Sequence, residues 1–274
     1  METVGIIAGK GKFPVMFAQA ARGNGLRVIA VAHLNQTIPE LEKYVDEITW
    51  VKVGQLGKII DVFKKAGVTK AVMAGGIAKN IMYFDIQPDH KGLLMMARLK
   101  NRQDDAILRA VAEEMKREGI LIQDSTLYLS SLLAPEGLLT RRAPSSREME
   151  DILFGWPIAK AVGRLDIGQS VLVKDKNVLA VEAIEGTDAA IKRGAGFAGK
   201  GAVLVKVSKP TQDLRFDMPV IGLDTIRVMV EAEVTAGAIE AGKTIFFEKE
   251  LAISYADKEG LALVALSDEK VAHG

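Results

Sequence analysis

Val4-Gly5-Ile6-Ile7-Ala8-Gly9-Lys10-Gly11-Lys12-Phe13-Pro14 decides the fold of the first half of this chain. Val4–Ala8 is a short apolar run, fit for a strand buried on both faces. A glycine-containing loop follows, then a helical stretch over Val15–Asn24 that Gly25 ends. The same grammar repeats downstream. Leu26–Ala32, Glu47–Val53, Thr69–Ala74 and Gly119–Gln123 read as strands. Gly57–Ala66, Gly92–Leu99 and Asp104–Arg117 read as helices. Strands separated by helices predict a mostly parallel, Rossmann-like sheet with helices on both faces.

The texture changes at Leu132–Ser146, where LLAPEGLLTRRAPSS carries two prolines, a glycine and a basic pair without periodicity. It reads as a linker. The resulting division is a Rossmann-like domain over 1–131, a linker over 132–146 and a mixed α/β domain over 147–274. Ser145 or Ser146 is placed to cap a helix running from about Arg147 to about Val162, with Glu148 and Glu150 in its first turn. Ser170–Val173 and Val178–Ala183 flank Lys174-Asp175-Lys176-Asn177 as a hairpin. Gly186–Lys192 reads as a short helix, Val203–Val207 as a strand, Asp224–Ala236 as a helix, Thr244–Phe247 as a strand, Leu251–Ala256 as a helix and Leu261–Leu266 as a last strand.

The chain has 274 residues, is 49% hydrophobic and carries a formal net charge of +1. Such a chain can build a large core, and its charge offers no case for a nucleic-acid binder. There is no cysteine, which excludes disulfides, thiolate zinc sites and cysteine nucleophiles. METVGIIAGKGKFP lacks a basic segment followed by a long apolar core, and no run of about 18 apolar residues occurs. A cytoplasmic protein is expected.

The chemistry-bearing stretch is Leu204–Asp224, LVKVSKPTQDLRFDMPVIGLD. An apolar strand ends in Ser208-Lys209-Pro210, and a polar segment then delivers Gln212, Asp213, Arg215 and Asp217. Carboxylates beside basic groups at the mouth of strands suit a magnesium–phosphate site, because carboxylates hold a hard cation and cations hold phosphate oxygens. The plainer reading is a solvated loop. Further carboxylates lie nearby in sequence: Asp166 in Arg164–Gln169, then Glu182, Glu185 and Asp188. Thr187 or Asp188 also suits a helix N-cap, and Glu182 suits the solvent face of a strand. The histidines at 33, 90 and 273 are poorly placed for a nucleophile–base pair, so metal-activated water is the more natural route to hydrolysis.

Gly9 and Gly11 occupy a strand-to-helix loop where backbone amides can meet phosphate, and Gly75-Gly76 ends another strand at the edge where ligands of such sheets gather. A tight turn explains both pairs equally well. The dinucleotide fingerprint fails here: Pro14 stands at its third glycine, and Ala32-His33-Leu34-Asn35 supplies no ribose-binding carboxylate.

Three blocks of the chain resemble the UDP-2,3-diacylglucosamine pyrophosphatases of lipid A biosynthesis, of the LpxI type. They are Gly5–Gly9 with Gly11 and Pro14; Arg164–Gln169 with Val181-Glu182-Ala183 and Glu185–Asp188; and Lys209–Gln212 with Arg215, Asp217, Pro219 and Ile221-Gly222. Asn101–Leu108, with Asp104-Asp105-Ala106, is a weaker fourth block. The resemblance implies two domains enclosing the substrate and magnesium-dependent hydrolysis of UDP-2,3-diacylglucosamine to 2,3-diacylglucosamine 1-phosphate (lipid X) and UMP. Water is expected to attack the phosphorus nearer the sugar. Asp217, in Arg215-Phe216-Asp217-Met218-Pro219, matches the family's key aspartate and is expected to bind metal or activate water. Arg215 and Lys209 are its expected phosphate neighbours. Glu182, Glu185 and Asp188 are expected as further metal ligands. Gly9, Gly11, Gly75, Gly76, Asp104, Asp105, Asp166, Gln169, Thr187 and Gln212 are expected around the substrate. Leu93–Met96 are candidates for lining an acyl cavity, or else core. A homodimer and a peripheral contact with the inner membrane through the lipid substrate complete the expectations. The rival readings are a non-catalytic lipid- or nucleotide-binding protein and a nucleotide-dependent oxidoreductase.

Overall fold

The computed structural model describes residues 2–77, 86–99, 104–210, 213, 215–216 and 218–273. The chain forms two compact units. Residues 1–130 with 213–217 make the first, and 131–212 with 218–274 make the second.

The first unit is an all-parallel five-stranded sheet in the order β3-β2-β1-β4-β5. Its strands are β1 Thr3–Ala8, β2 Arg27–His33, β3 Glu47–Val51, β4 Lys70–Ala74 and β5 Leu121–Ile122. Its helices are α1 Phe13–Gly23, α2 Leu56–Lys65, α3 His90–Ala97 and α4 Asp104–Arg117. Pro14 sits in the first turn of α1, where a missing N–H costs nothing. One face of the sheet buries Ile7, Ile29, Val31 and Met73 against Ile59, Phe63 and Met115 of α2 and α4. α1 packs on β1, β2 and β4. Gly5 is required by this packing, since a Cβ there would stand 2.8 Å from the Phe63 ring. Met95 packs on the same core, whereas Leu93 and Leu94 are exposed.

The second unit carries a six-stranded mixed sheet, β6-β13-β11-β9-β7-β8. Its strands are β6 Gly137–Leu138, β7 Ser170–Lys174, β8 Asn177–Val181, β9 Val203–Lys206, β11 Ala236–Glu240 and β13 Ala262–Leu266. β9, β11 and β13 run parallel, while β6 and the β7–β8 hairpin are antiparallel to their neighbours. A separate pair, β10 Val220–Ile221 and β12 Ile245–Phe246, is parallel. The helices are α5 Ser146–Arg164, α6 Thr187–Ala198, α7 Leu223–Glu231, α8 Lys249–Glu259 and α9 Asp268–His273. α5 covers one face through Ile152, Trp156 and Ala159, and Ile191, Ile226, Met229 and Ala252 of α6, α7 and α8 cover the other. Gly155 lets α5 approach closely, since a Cβ there would lie 3.0 Å from Val173 and Val205.

Two expectations change. Asp224–Ala236 is not one helix: α7 ends at Glu231, and Ala236–Glu240 forms a central strand. Its small residues have weak strand preference of their own. They are small because α7 presses on them, a Cβ on Gly237 falling 2.8 Å from Met229 Cε. The stretch 132–146, expected as a linker, is built into the second unit. Ala134 is buried in its core, β6 pairs with β13, and Arg142 donates to the carbonyls of Thr235 and Gly260.

The β7–β8 turn has Asp175 and Lys176 both at positive φ, the geometry that matches strand twist. Buried Asp151 of α5 accepts from both their amides, at 2.9 and 2.7 Å. Ser145 caps α5 in a capping box with Glu148. The Arg142 guanidinium also grips Glu148 with two bonds, at 2.8 and 3.0 Å.

Burial pushes the Glu148 carboxyl up, but the bonds from Arg142 and Ser145 outweigh it and hold its pKa at about 2, against 4.5 ordinarily. The group therefore stabilises the fold fully above pH 4.5 and loses that contribution as pH falls towards 2. Glu148→Gln should cost about 1 kcal/mol at pH 7, as loss of a helix cap does. The gap from wild type should close in acid; urea titrations showing a pH-independent gap would contradict this account.

Candidate active site

The strand register brings Ser170 of β7, Lys206 of β9, Ile239 of β11 and Ala265 of β13 into one line across the second sheet. This line marks the C-terminal ends of the parallel strands, the edge where open α/β sheets bind ligands. Beyond it run Val207-Ser208-Lys209 and Glu240.

Three acidic residues brace the β9 end, Glu240 and Asp166 directly and Glu182 through Thr187. Glu182, just after β8 and 8% exposed, accepts the Thr187 hydroxyl at 3.0 Å. That hydroxyl in turn accepts from Lys206 Nζ at 2.8 Å, and Ser170 Oγ lies 3.4 Å from it. Lys206 is only 4% exposed. Glu240, 1% exposed, accepts the Ser208 amide at 2.7 Å. Both its oxygens also receive Lys160 Nζ, at 2.8 and 2.7 Å, and Lys243 adds a second cation at 2.8 Å. Asp166, itself at φ 56°, pairs with Lys209 Nζ at 2.6 Å. Gly163 of α5 allows this, because a Cβ there would stand 3.1 Å from Lys209 Cα.

The Arg164–Gln169 and Val181–Asp188 motifs meet through Gly168. A Cβ on it would fall 2.0 Å from the Glu182 carbonyl oxygen, so only glycine fits. The Gln169 amide reaches Glu182 Oε2 at 3.4 Å, and its Oε1 is buried with no partner among the described residues.

Of the expected carboxylate set, the three described members each have a partner of their own. Glu182 is committed to Thr187, Glu185 pairs with Arg193 at 2.6 Å, and Asp188 accepts from Thr225 at 3.0 Å. The Arg193 bond holds the Glu185 carboxyl below its ordinary range. Among the described residues, no three His, Asp or Glu side chains come together in a way that would hold a metal ion. Glu182, Glu185 and Asp188 were expected, with Asp217, as metal ligands on their match to the family's motifs. Glu182 lies just after β8, Glu185 in the turn that follows and Asp188 in the first turn of α6.

In the first unit, the two glycine loops pack on each other at the ends of β1 and β4, the switch point of the strand order. The Gly9 amide donates to the Ala74 carbonyl at 2.8 Å and the Lys10 amide to the Gly76 carbonyl at 2.6 Å. A Cβ on Gly9 would meet Gly76 O at 2.4 Å, and one on Gly75 would meet Lys10 O at 2.4 Å. Close backbone packing accounts for these glycines, and two amides that a dinucleotide phosphate would need are already donated. Gly11, at φ 93°, has open space around its Cα. His33 is buried at the end of β2, and its Nδ1 donates to the Ala8 carbonyl at 2.9 Å. Burial lowers its pKa, partly opposed by that bond.

Phe216 is part of the first unit's core, so the chain returns to that unit over 213–217. There Arg215 grips Asp213 with two bonds, at 2.9 and 2.6 Å, and stacks 4.8 Å above the Phe216 ring. The pairing lowers the Asp213 pKa and raises that of Arg215. Lys209 and Arg215, expected as neighbours on phosphate, thus belong to different units. Gln212 and Asp217 lie outside the described residues. Asp104 and Asp105 open α4, and their side chains also lie outside them.

Lys206, Glu240 and Lys160 were not among the expected site residues. The signal was present: a lysine inside the apolar run LVKV and a glutamate closing AGAIE are each expensive to bury without a partner.

Gly168→Ala should destabilise the protein by about 2 kcal/mol or more, since backbone, not a flexible side chain, must move. Lys160→Met should cost about 3 kcal/mol by leaving Glu240 buried and short of its main cation. Thermal unfolding of both variants checks these values; a Lys160→Met protein as stable as wild type would remove the ion pair from the account.

The LpxI N-terminal domain family matches residues 3–132, and the LpxI C-terminal domain family matches residues 135–264. The UDP-2,3-diacylglucosamine pyrophosphatase LpxI of Caulobacter vibrioides is 33% identical over 282 residues, spanning 98% of this chain and 99% of that protein. The bifunctional purine biosynthesis protein PurH of a Thermoanaerobacter species is 32% identical over 132 residues, which are 46% of this chain and 23% of PurH. Among solved structures, the ADP complex of purK, an N5-carboxyaminoimidazole ribonucleotide synthetase, aligns over 70% of this chain and 44% of its own at 15% identity, with a TM-score of 0.29. Two domain matches in the same order and an end-to-end relative make this chain a member of the LpxI family.

Proposed function

We propose that this chain hydrolyses the pyrophosphate bond of UDP-2,3-diacylglucosamine, with water adding to the phosphorus nearer the sugar and lipid X and UMP leaving. The observation that carries the reading is the likeness, over 98% of the chain, to the Caulobacter pyrophosphatase. The edge of the second sheet supports it chemically. Lys206, bonded to Thr187, and Lys209, paired with Asp166, both lie at the end of β9 and are cations of the kind that suits the oxygens of a diphosphate.

Asp217 is assigned to activating the attacking water or holding magnesium, on its match to the family's Arg-x-Asp-x-Pro motif. Lys209 and Arg215 are assigned to phosphate. Bound magnesium would neutralise diphosphate charge and lower the pKa of a coordinated water. Glu182, Glu185 and Asp188 remain candidate metal ligands on the motif match alone, and among the described residues no three acids form a cluster. Among the described residues, no helix is long and apolar enough to cross a membrane. We place the reaction in the cytoplasm, where any contact with the inner membrane comes through the two acyl chains of the substrate.

Purified protein mixed with UDP-2,3-diacylglucosamine should release UMP and lipid X, and chelation of divalent cations should stop the reaction. Asp217→Ala should lower kcat by about 100-fold or more, the range for losing a general base, while the protein stays folded. Tight substrate binding with no product under any divalent cation would favour a carrier instead. Full turnover by Asp217→Ala would remove the assigned role.

A further inference from the structure

Lys206 was named by no motif, yet it occupies the end of β9 between two groups assigned to the site. Its ammonium lies almost wholly buried and donates to Thr187 Oγ1 at 2.8 Å. Thr187 is partly exposed, and its hydroxyl links Lys206 to Glu182. The Thr187 proton points to Glu182 Oε1, and Lys206 donates to the oxygen from the other side. Glu182 is itself oriented by the Gln169 amide and by the Gly168 contact with its carbonyl. A buried ammonium is costly to desolvate, and its field is weakly screened by water and salt. A lysine kept at that cost on the ligand-binding edge acts strongly on an anion docked beside Thr187.

We infer that Lys206 is a phosphate-binding cation for the diphosphate of the substrate, and that Glu182 is its positioning residue, acting through Thr187 rather than through a metal. The inference rests on the pyrophosphatase reading. Lys209, three residues on at the same strand end, is held by Asp166. In this arrangement Glu182 keeps the threonine rotamer that accepts from Lys206. Diphosphate oxygens then share the Lys206 protons with Thr187.

The test measures hydrolysis of UDP-2,3-diacylglucosamine and calorimetric binding of UDP by wild type, Lys206→Met, Thr187→Val, Thr187→Ser, Glu182→Ala and Glu182→Gln, each checked for folding by thermal melting. Lys206→Met should lose about 10- to 100-fold in kcat/KM, the worth of charge-assisted hydrogen bonds to phosphate. Thr187→Ser and Glu182→Gln retain the hydroxyl and a carbonyl acceptor, so they should restore most of what Thr187→Val and Glu182→Ala lose, a rescue that a purely structural role would not track in kcat/KM. If wild type turns over and folded Lys206→Met equals it, the inference falls and the pyrophosphatase reading stands. If Lys206→Met does not fold, the threonine pair decides, and equal activity of Thr187→Val and Thr187→Ser overturns the inference. If wild type does not turn over, the pyrophosphatase reading fails. UDP binding then decides: weaker binding by Lys206→Met keeps the phosphate role, and equal or absent binding by both proteins removes it.

Discussion

The buried pair between Lys160 and Glu240 is the constraint on which the ligand edge of the second unit depends. Glu240 ends the central strand β11 and is almost fully withdrawn from water. An isolated carboxylate there would cost several kcal/mol. It is tolerated because Lys160 reaches both oxygens from α5 and the Ser208 amide and Lys243 complete the shell. Asp268 of α9 joins the network, accepting from Trp156 Nε1 at 2.8 Å and pairing with Lys160 at 3.2 Å. Burial raises the Asp268 carboxyl, but the bonds from Trp156 and Lys160 more than offset it and leave its pKa lowered. One ion pair thereby ties α5, β11, α9 and the strand end that presents Ser208 and Lys209.

Other acids along the same edge do similar work on a smaller scale. Glu182 sets Thr187 beneath the reach of Lys206, and Asp166 sets Lys209. Carboxylates that looked in sequence like a cation shell are, where described, partners of lysines, arginines and hydroxyls. Such pairing fixes the direction of cations, and directed cations are what a diphosphate requires. The first unit solves a different problem. Its glycines let β1 and β4 end against each other with paired backbone groups, and Phe216 anchors the returning segment in its core.

Much of the first unit was legible because its signals are local. Short apolar runs such as Val4–Ala8, helices closed by glycine, and Pro14 at a helix start all follow from backbone sterics and periodicity. The capped start of α5 and the Lys174–Asn177 hairpin were legible for the same reason. β11 was not. Ala236-Gly237-Ala238 has no strand signal of its own and becomes a strand only because β9 and β13 flank it while Met229 presses from above. The proline-containing stretch 132–146 has the composition of a linker, yet it is held by Arg142 and by pairing with β13, neither of which composition reveals.

The site divides along the same line. Sequence alone determined the family motifs, the absence of thiol chemistry, and which carboxylates and cations crowd the second half of the chain. Only tertiary structure decided who pairs with whom. Glu182 and Thr187 meet Lys206 across three elements, Asp166 meets Lys209 across 43 positions, and Glu240 meets Lys160 across 80. A charge's role is set by the neighbours that compensate its desolvation, and those neighbours are chosen by how strands and helices pack, not by their order along the chain.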